Sequence, residues 1–148
     1  MAGSDKIKVL FVCIHNSARS QMTETFLNKL GTGKFIAESA GFEPGVLNQD
    51  VIKVMQEVGI DISGNKTKSV FDLFKEGKPY DFVITVCDES NAERCPVFPG
   101  KTQRLHWGFT DPSSYKTEPD DVKLPKIRAI RDQIKSRIEQ FIKETDVK

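Results

Sequence analysis

"KVLFVCIHNSARSQM", residues 8–22, decides the fold. Lys8–Val12 is a short, apolar, β-branched run of the kind that forms a buried parallel strand. A cysteine, several small or polar residues and an arginine follow, and then helical spacing takes over. From Ala18 to Leu30, Met22, Phe26, Leu27 and Leu30 share one face, and Gly31 stands where a helix-ending glycine belongs. The stretch is therefore a strand, a tight loop and a helix, the opening of a βαβ unit.

The same alternation continues outward. Lys34–Ser39 reads as a second strand. Asn48 can cap a helix running through Val58, with Val51, Val54, Met55 and Val58 in one stripe and Gly59 after it. A short helix fits Val70–Phe74, and Asp81–Val86 reads as a third strand, apolar on both faces. Gln103–Trp107 is a candidate fourth strand. Pro125 is expected to open a long helix to about Lys143, with Ile127, Ile130, Ile134, Ile138, Phe141 and Ile142 at 3–4 spacing. Strands alternating with helices predict an α/β fold, an open parallel sheet with helices on both faces. Ligands of such sheets bind at the carboxyl ends of the strands, near the switch in strand order. Cys13 and Cys87 each fall just past the end of a predicted strand, on that rim.

Composition narrows the function. The 148 residues suit one domain spanning 1–148. A hydrophobic share of 38% and a charged share of 29% are neither membrane-like nor disordered. The net charge is +1 and there is no long basic run, so nucleic acid and membrane surfaces are not expected partners. The first residues lack the apolar core of a signal peptide, and a cytoplasmic, reducing setting is expected. Three cysteines are odd in number and too few for a disulfide scaffold, which points to reactive or buried thiols.

The loop between the first strand and helix carries the chemistry. Successive backbone N–H groups with a helix N-terminus behind them make a concave anion site. Arg19 adds a planar fork able to hold two oxygens of a tetrahedral oxyanion. The same field favours a thiolate at Cys13, so nucleophile and electrophile are held by one loop. Ser17 and Ser20 can donate hydrogen bonds to the sulfur or the loop. Asn16 tolerates a left-handed φ and can fix the loop's shape.

"VLFVCIHNSARSQMTE" resembles the signature loop of the low-molecular-weight phosphatase superfamily, and its Asn-Ser-x-Arg-Ser-Gln-Met form resembles the arsenate reductase branch. The likeness continues in order through "ESAGFEPG", "VGIDIS", "VITVCDESNAERCPVFPG" and "LHWGFTDPS". It implies a three-layer, phosphatase-I or flavodoxin-like sandwich on a four-stranded parallel open sheet. It implies arsenate as substrate, with phosphate or sulfate as analogues, held by Ile14, His15, Asn16, Ser17, Ala18, Arg19 and Ser20.

Cys87 and Cys95 stand eight positions apart across a polar span, and that spacing leaves Cys87 able to pair with either Cys13 or Cys95. The resemblance implies an order. Cys13 attacks arsenate, Cys87 displaces arsenite to give a Cys13–Cys87 disulfide, and Cys95 converts it to Cys87–Cys95. No bound cofactor is expected, but an external thiol reductant is required: thioredoxin, or alternatively glutaredoxin with glutathione. The Asp-Pro turn at Asp111 carries the general acid in the superfamily. An aromatic residue commonly follows that turn in tyrosine-specific relatives, and Ser113 follows here, which suits a small inorganic oxyanion. Some reductases of the branch bind potassium at positions that fall on Asn16, Glu24 and Ser39. The usual fourth position, an Asp, is Ser69 here, so no metal is expected. The expected oligomeric state is a monomer. The alternative to arsenic detoxification is a phosphatase that cleaves phosphate monoesters through a Cys13 phosphoenzyme, with no use for Cys87 or Cys95.

Overall fold

The computed structural model describes residues 6–87, 95, 96, 98, 100 and 102–146. Four strands, β1 (Ile7–Cys13), β2 (Phe35–Gly41), β3 (Phe82–Thr85) and β4 (Gln103–His106), form one sheet in the order β2-β1-β3-β4. All three pairings are parallel. β1 is central, and Val9, Leu10, Phe11 and Val12 are fully buried, so both of its faces are covered. This is the layered α/β fold that the alternation predicts.

The helices are α1 (Arg19–Leu30), α2 (Gln49–Gln56), α3 (Val70–Glu76) and α4 (Asp120–Asp146), with a short 3-10 turn at Pro112–Tyr115. Two of the starts are capped by a side chain. Asn48 Oδ1 accepts the Asp50 and Val51 N–H groups at α2, and Ser69 Oγ does the same for Phe71 and Asp72 at α3. The ring of Phe141 on α4 packs at 5.7 Å from Phe35, 5.2 Å from Phe82 and 5.4 Å from Trp107, which seats α4 on the sheet.

Several boundaries differ from expectation. β1 includes Cys13, which pairs with Gly41 as the last rung of the β1–β2 ladder, and β2 runs on to Gly41. α2 stops at Gln56. α4 starts at Asp120, and Pro125 lies inside it rather than opening it. The Pro119 carbonyl accepts from Val122 and Lys123, and Asp120 and Asp121 suit the positive end of the helix dipole, so the start is settled before Pro125. Proline this near the start removes a single ladder hydrogen bond.

Candidate active site

The order of the sheet reverses at β1, whose neighbours β2 and β3 are reached in opposite directions. The loop leaving its carboxyl end, residues 14–18, lies at that switch. Its carbonyls are bound on the outside. Phe42 N donates to Cys13 O at 3.1 Å, Glu43 N to Ile14 O at 2.8 Å, Gly45 N to His15 O at 3.0 Å and Asn48 N to Ser17 O at 3.0 Å. Among the described residues, the N–H groups of His15, Ser17 and Ala18 meet no carbonyl and are left for an anion. His15 Nδ1 donates to Glu43 O at 2.9 Å, so the imidazole braces the loop's outer wall.

Cys13 is buried, and its sulfur is met from two sides. Asn16 N donates to Sγ at 3.2 Å, and Ser20 Oγ lies 2.8 Å away. Ser20 Oγ already accepts from Asn16 Nδ2 at 2.8 Å, which leaves the hydroxyl proton for the sulfur. Asn16 makes this possible with φ 54°, a left-handed conformation that asparagine adopts more readily than most residues. The conformation is held from outside: Lys68 N donates to Asn16 Oδ1 at 3.0 Å, and Gln21 Nε2 donates to Asn16 O at 3.0 Å. Gln21 also donates to Lys66 O at 3.2 Å and accepts from Asn65 Nδ2 at 3.1 Å. Sequence reasoning missed Gln21. Its one mark was its place in the Asn-Ser-x-Arg-Ser-Gln-Met pattern.

Arg19, nearly fully buried, donates through Nη1 to Phe109 O at 3.2 Å, and its Nη2 stands 3.6 Å from Asp111 Oδ2. The guanidinium at the mouth of the loop and the carboxylate on the opposite turn therefore face each other. Ser113 N donates to Asp111 Oδ1 at 2.9 Å. Trp107 packs against Phe11 and Phe141.

Val12 pairs with Thr85, and Val86 N donates to Val12 O at 2.8 Å, so Cys87 follows β3 beside the end of β1. Cys13, Cys87 and Cys95 are all buried, and no disulfide joins them. Burial pushes the Cys95 thiol up to about 11, with the nearby Arg104 guanidinium pulling the other way. The Arg104 side chain also donates to Cys95 O at 3.4 Å. The polar span 88–94 between Cys87 and Cys95 lies outside the described residues.

The positions weighed for potassium make contacts within the chain. Ser39 Oγ donates to Glu24 Oε1 at 2.5 Å, Asn16 Oδ1 takes the Lys68 N–H, and Ser69 Oγ caps α3. Burial pushes the Glu24 carboxyl above its usual range, against the pull of the Ser39 hydroxyl and the Lys68 ammonium.

Residues 8–148 match the low molecular weight phosphotyrosine protein phosphatase family. The chain is 37% identical over 134 residues to an arsenate reductase of Shouchella clausii, covering 90% of this chain and 93% of that protein. Among solved structures, an arsenate reductase in its oxidized state is 33% identical, covers 93% of this chain and 97% of its own, and superposes with a TM-score of 0.76. A thioredoxin-dependent arsenate reductase of Corynebacterium glutamicum is 28% identical with a TM-score of 0.71, covering 97% of this chain and 64% of a longer one. The family match runs over nearly the whole sequence, and the chain belongs to the low molecular weight phosphotyrosine protein phosphatase family.

Proposed function

We propose that the chain reduces arsenate to arsenite. The observation that carries the reading is Cys13 at the floor of an anion loop with Cys87 on the neighbouring strand end. The Cys13 thiolate attacks arsenic(V) and water leaves, with Asp111 delivering the proton. Ser20 and the Asn16 N–H stabilise the sulfur before attack, and Arg19 with the loop N–H groups holds the oxygens. The Cys87 thiolate then attacks Cys13 Sγ. A disulfide forms, the S–As bond breaks, and its electron pair leaves with arsenic(III) as arsenite. The Cys95 thiolate attacks Cys87 and releases Cys13, giving Cys87–Cys95. A thioredoxin-type dithiol returns the two electrons by exchange. In its described place Cys95 is buried and protonated at neutral pH, so its turn in the relay requires solvent access to the thiol. A reducing cytoplasm keeps the three thiols reduced and supplies the donor.

The family match favours one second reading, hydrolysis of phosphate monoesters by Cys13, Arg19 and Asp111 alone. One experiment separates the two. Arsenite release is measured with thioredoxin, thioredoxin reductase and NADPH for wild type and for Cys13→Ser, Cys87→Ser and Cys95→Ser. All three variants are expected to lose turnover by at least about a hundredfold. Wild-type turnover in Cys87→Ser or Cys95→Ser would sink the relay. Glutaredoxin with glutathione replaces thioredoxin in a parallel assay, and faster turnover there would reassign the donor.

A further inference from the structure

A closed ring of contacts begins and ends on the anion loop. Asn48 N donates to Ser17 O at 3.0 Å, and Asn48 Nδ2 donates to Ser113 Oγ at 3.0 Å. Ser113 N donates to Asp111 Oδ1 at 2.9 Å, and Asp111 Oδ2 faces Arg19 Nη2 at 3.6 Å. Arg19 follows the loop directly. Two segments far apart in sequence, Asn48 at the start of α2 and the Asp111–Ser113 turn, are thereby joined across the mouth.

A helix cap alone does not explain Asn48. Capping uses its Oδ1, which accepts from Asp50 N at 2.9 Å and Val51 N at 3.1 Å. Serine or aspartate caps as well. What asparagine adds is a side-chain N–H on the far side of the amide, and that N–H reaches Ser113. The bond matters because of what Arg19 must do. In the described state Arg19 helps to hold the turn, through Phe109 O and Asp111. Once an oxyanion enters, the guanidinium fork is drawn to its oxygens, and the turn loses part of that hold. Asp111 is 40% exposed and has little packing of its own.

We infer that Asn48 is a positioning residue for Asp111, acting through Ser113 to hold the acid over the loop while Arg19 is engaged with the oxyanion. The inference rests on the proposed acid role of Asp111. It also gives a role to a serine where an aromatic residue is common. Positioning of this kind acts on the transition state and leaves ground-state anion binding alone.

The test uses Ser113→Ala, Ser113→Thr, Asn48→Ser and the double variant Asn48→Ser/Ser113→Ala. Asn48→Ser retains a helix cap but is too short to reach the turn, and Ser113→Thr keeps the hydroxyl. For each, kcat/KM for arsenate is measured beside the dissociation constant for inorganic phosphate. Ser113→Ala and Asn48→Ser are expected to lose about tenfold in kcat/KM, a fraction of what a general acid contributes. Their phosphate affinity stays within about twofold of wild type. Ser113→Thr recovers most of the loss, and the double variant falls no further than either single one. Wild-type kcat/KM in both single variants, a parallel loss of phosphate affinity, or no recovery in Ser113→Thr would each overturn the inference. Phenyl phosphate hydrolysis is followed alongside, because its poor leaving group also needs an acid. Should wild type hydrolyse it and form no arsenite, the reductase reading fails while the positioning role is still read from hydrolysis.

Discussion

Glu24 is a carboxyl in a dry place, and its consequences can be worked out by sign. Burial raises its folded value above the ordinary 4.5. A group raised in the fold adds stability below its unfolded value and loses that contribution as the pH climbs through the folded value. Above that point the fold holds an ionised carboxylate against its desolvation cost. Glu24→Gln removes the charge and keeps an acceptor for Ser39. It is expected to raise Tm at pH 8 by about 2 °C or more and to change it little at pH 4, as read by calorimetry at both values. Single residues were unevenly legible in the sequence. Cys13, Arg19 and Ser20 announce themselves because their chemistry is rare at that spacing; in the fold Cys13 meets Ser20, and Arg19 faces Asp111. Gln21 does not, because a single side-chain amide on a helix is commonplace, and Lys66 and Lys68 do not, because they act through a backbone carbonyl and N–H that every residue carries.

At the scale of elements, the end of β2 sets the shape of the anion loop. A Cβ built on Gly41 would stand 2.7 Å from Ile14 O and 2.8 Å from Asn16 N. Both are backbone atoms of the loop, so neither can turn aside. Gly41→Ala should cost roughly 1–3 kcal/mol, and phosphate binding should weaken more than the lost stability alone would explain. Denaturant unfolding and isothermal titration on the same sample check the two halves. An unchanged phosphate affinity would show that the loop adapts. Elements were more legible than their edges. Periodicity located the strands and helices, because burial of a strand or one helical face leaves a repeat in the sequence. It misplaced the start of α4, where a backbone carbonyl before Asp120 and two acidic residues outweighed a proline.

Across the whole molecule, Arg131 ties α4 to α2. Its Nη1 donates to Val54 O at 2.8 Å and to Glu57 Oε1 at 3.1 Å, and its Nε to Asp132 Oδ1 at 2.9 Å. Arg131→Met keeps the apolar stem and strands the Val54 carbonyl. Unfolding free energy should fall by about 1–3 kcal/mol with arsenate reduction unchanged at 25 °C, since α2 contributes to the site from its other end. The neighbouring strand ends of Cys13 and Cys87 were legible at this scale, because the alternation of elements dictates a parallel sheet and a rim. The Asn48–Ser113 contact was not, since it depends on the paths of two loops. The outward-bonded carbonyls of the anion loop carry one more consequence. Their partners in 42–48 hold the loop open whether or not it is filled, so the folded chain confines several amide dipoles of one sign. The unfolded chain keeps no such array, and a tetrahedral anion therefore enters the folding equilibrium by mass action. At a hundred times its dissociation constant it adds about 2.7 kcal/mol, which makes the choice of buffer part of any stability measured for this protein.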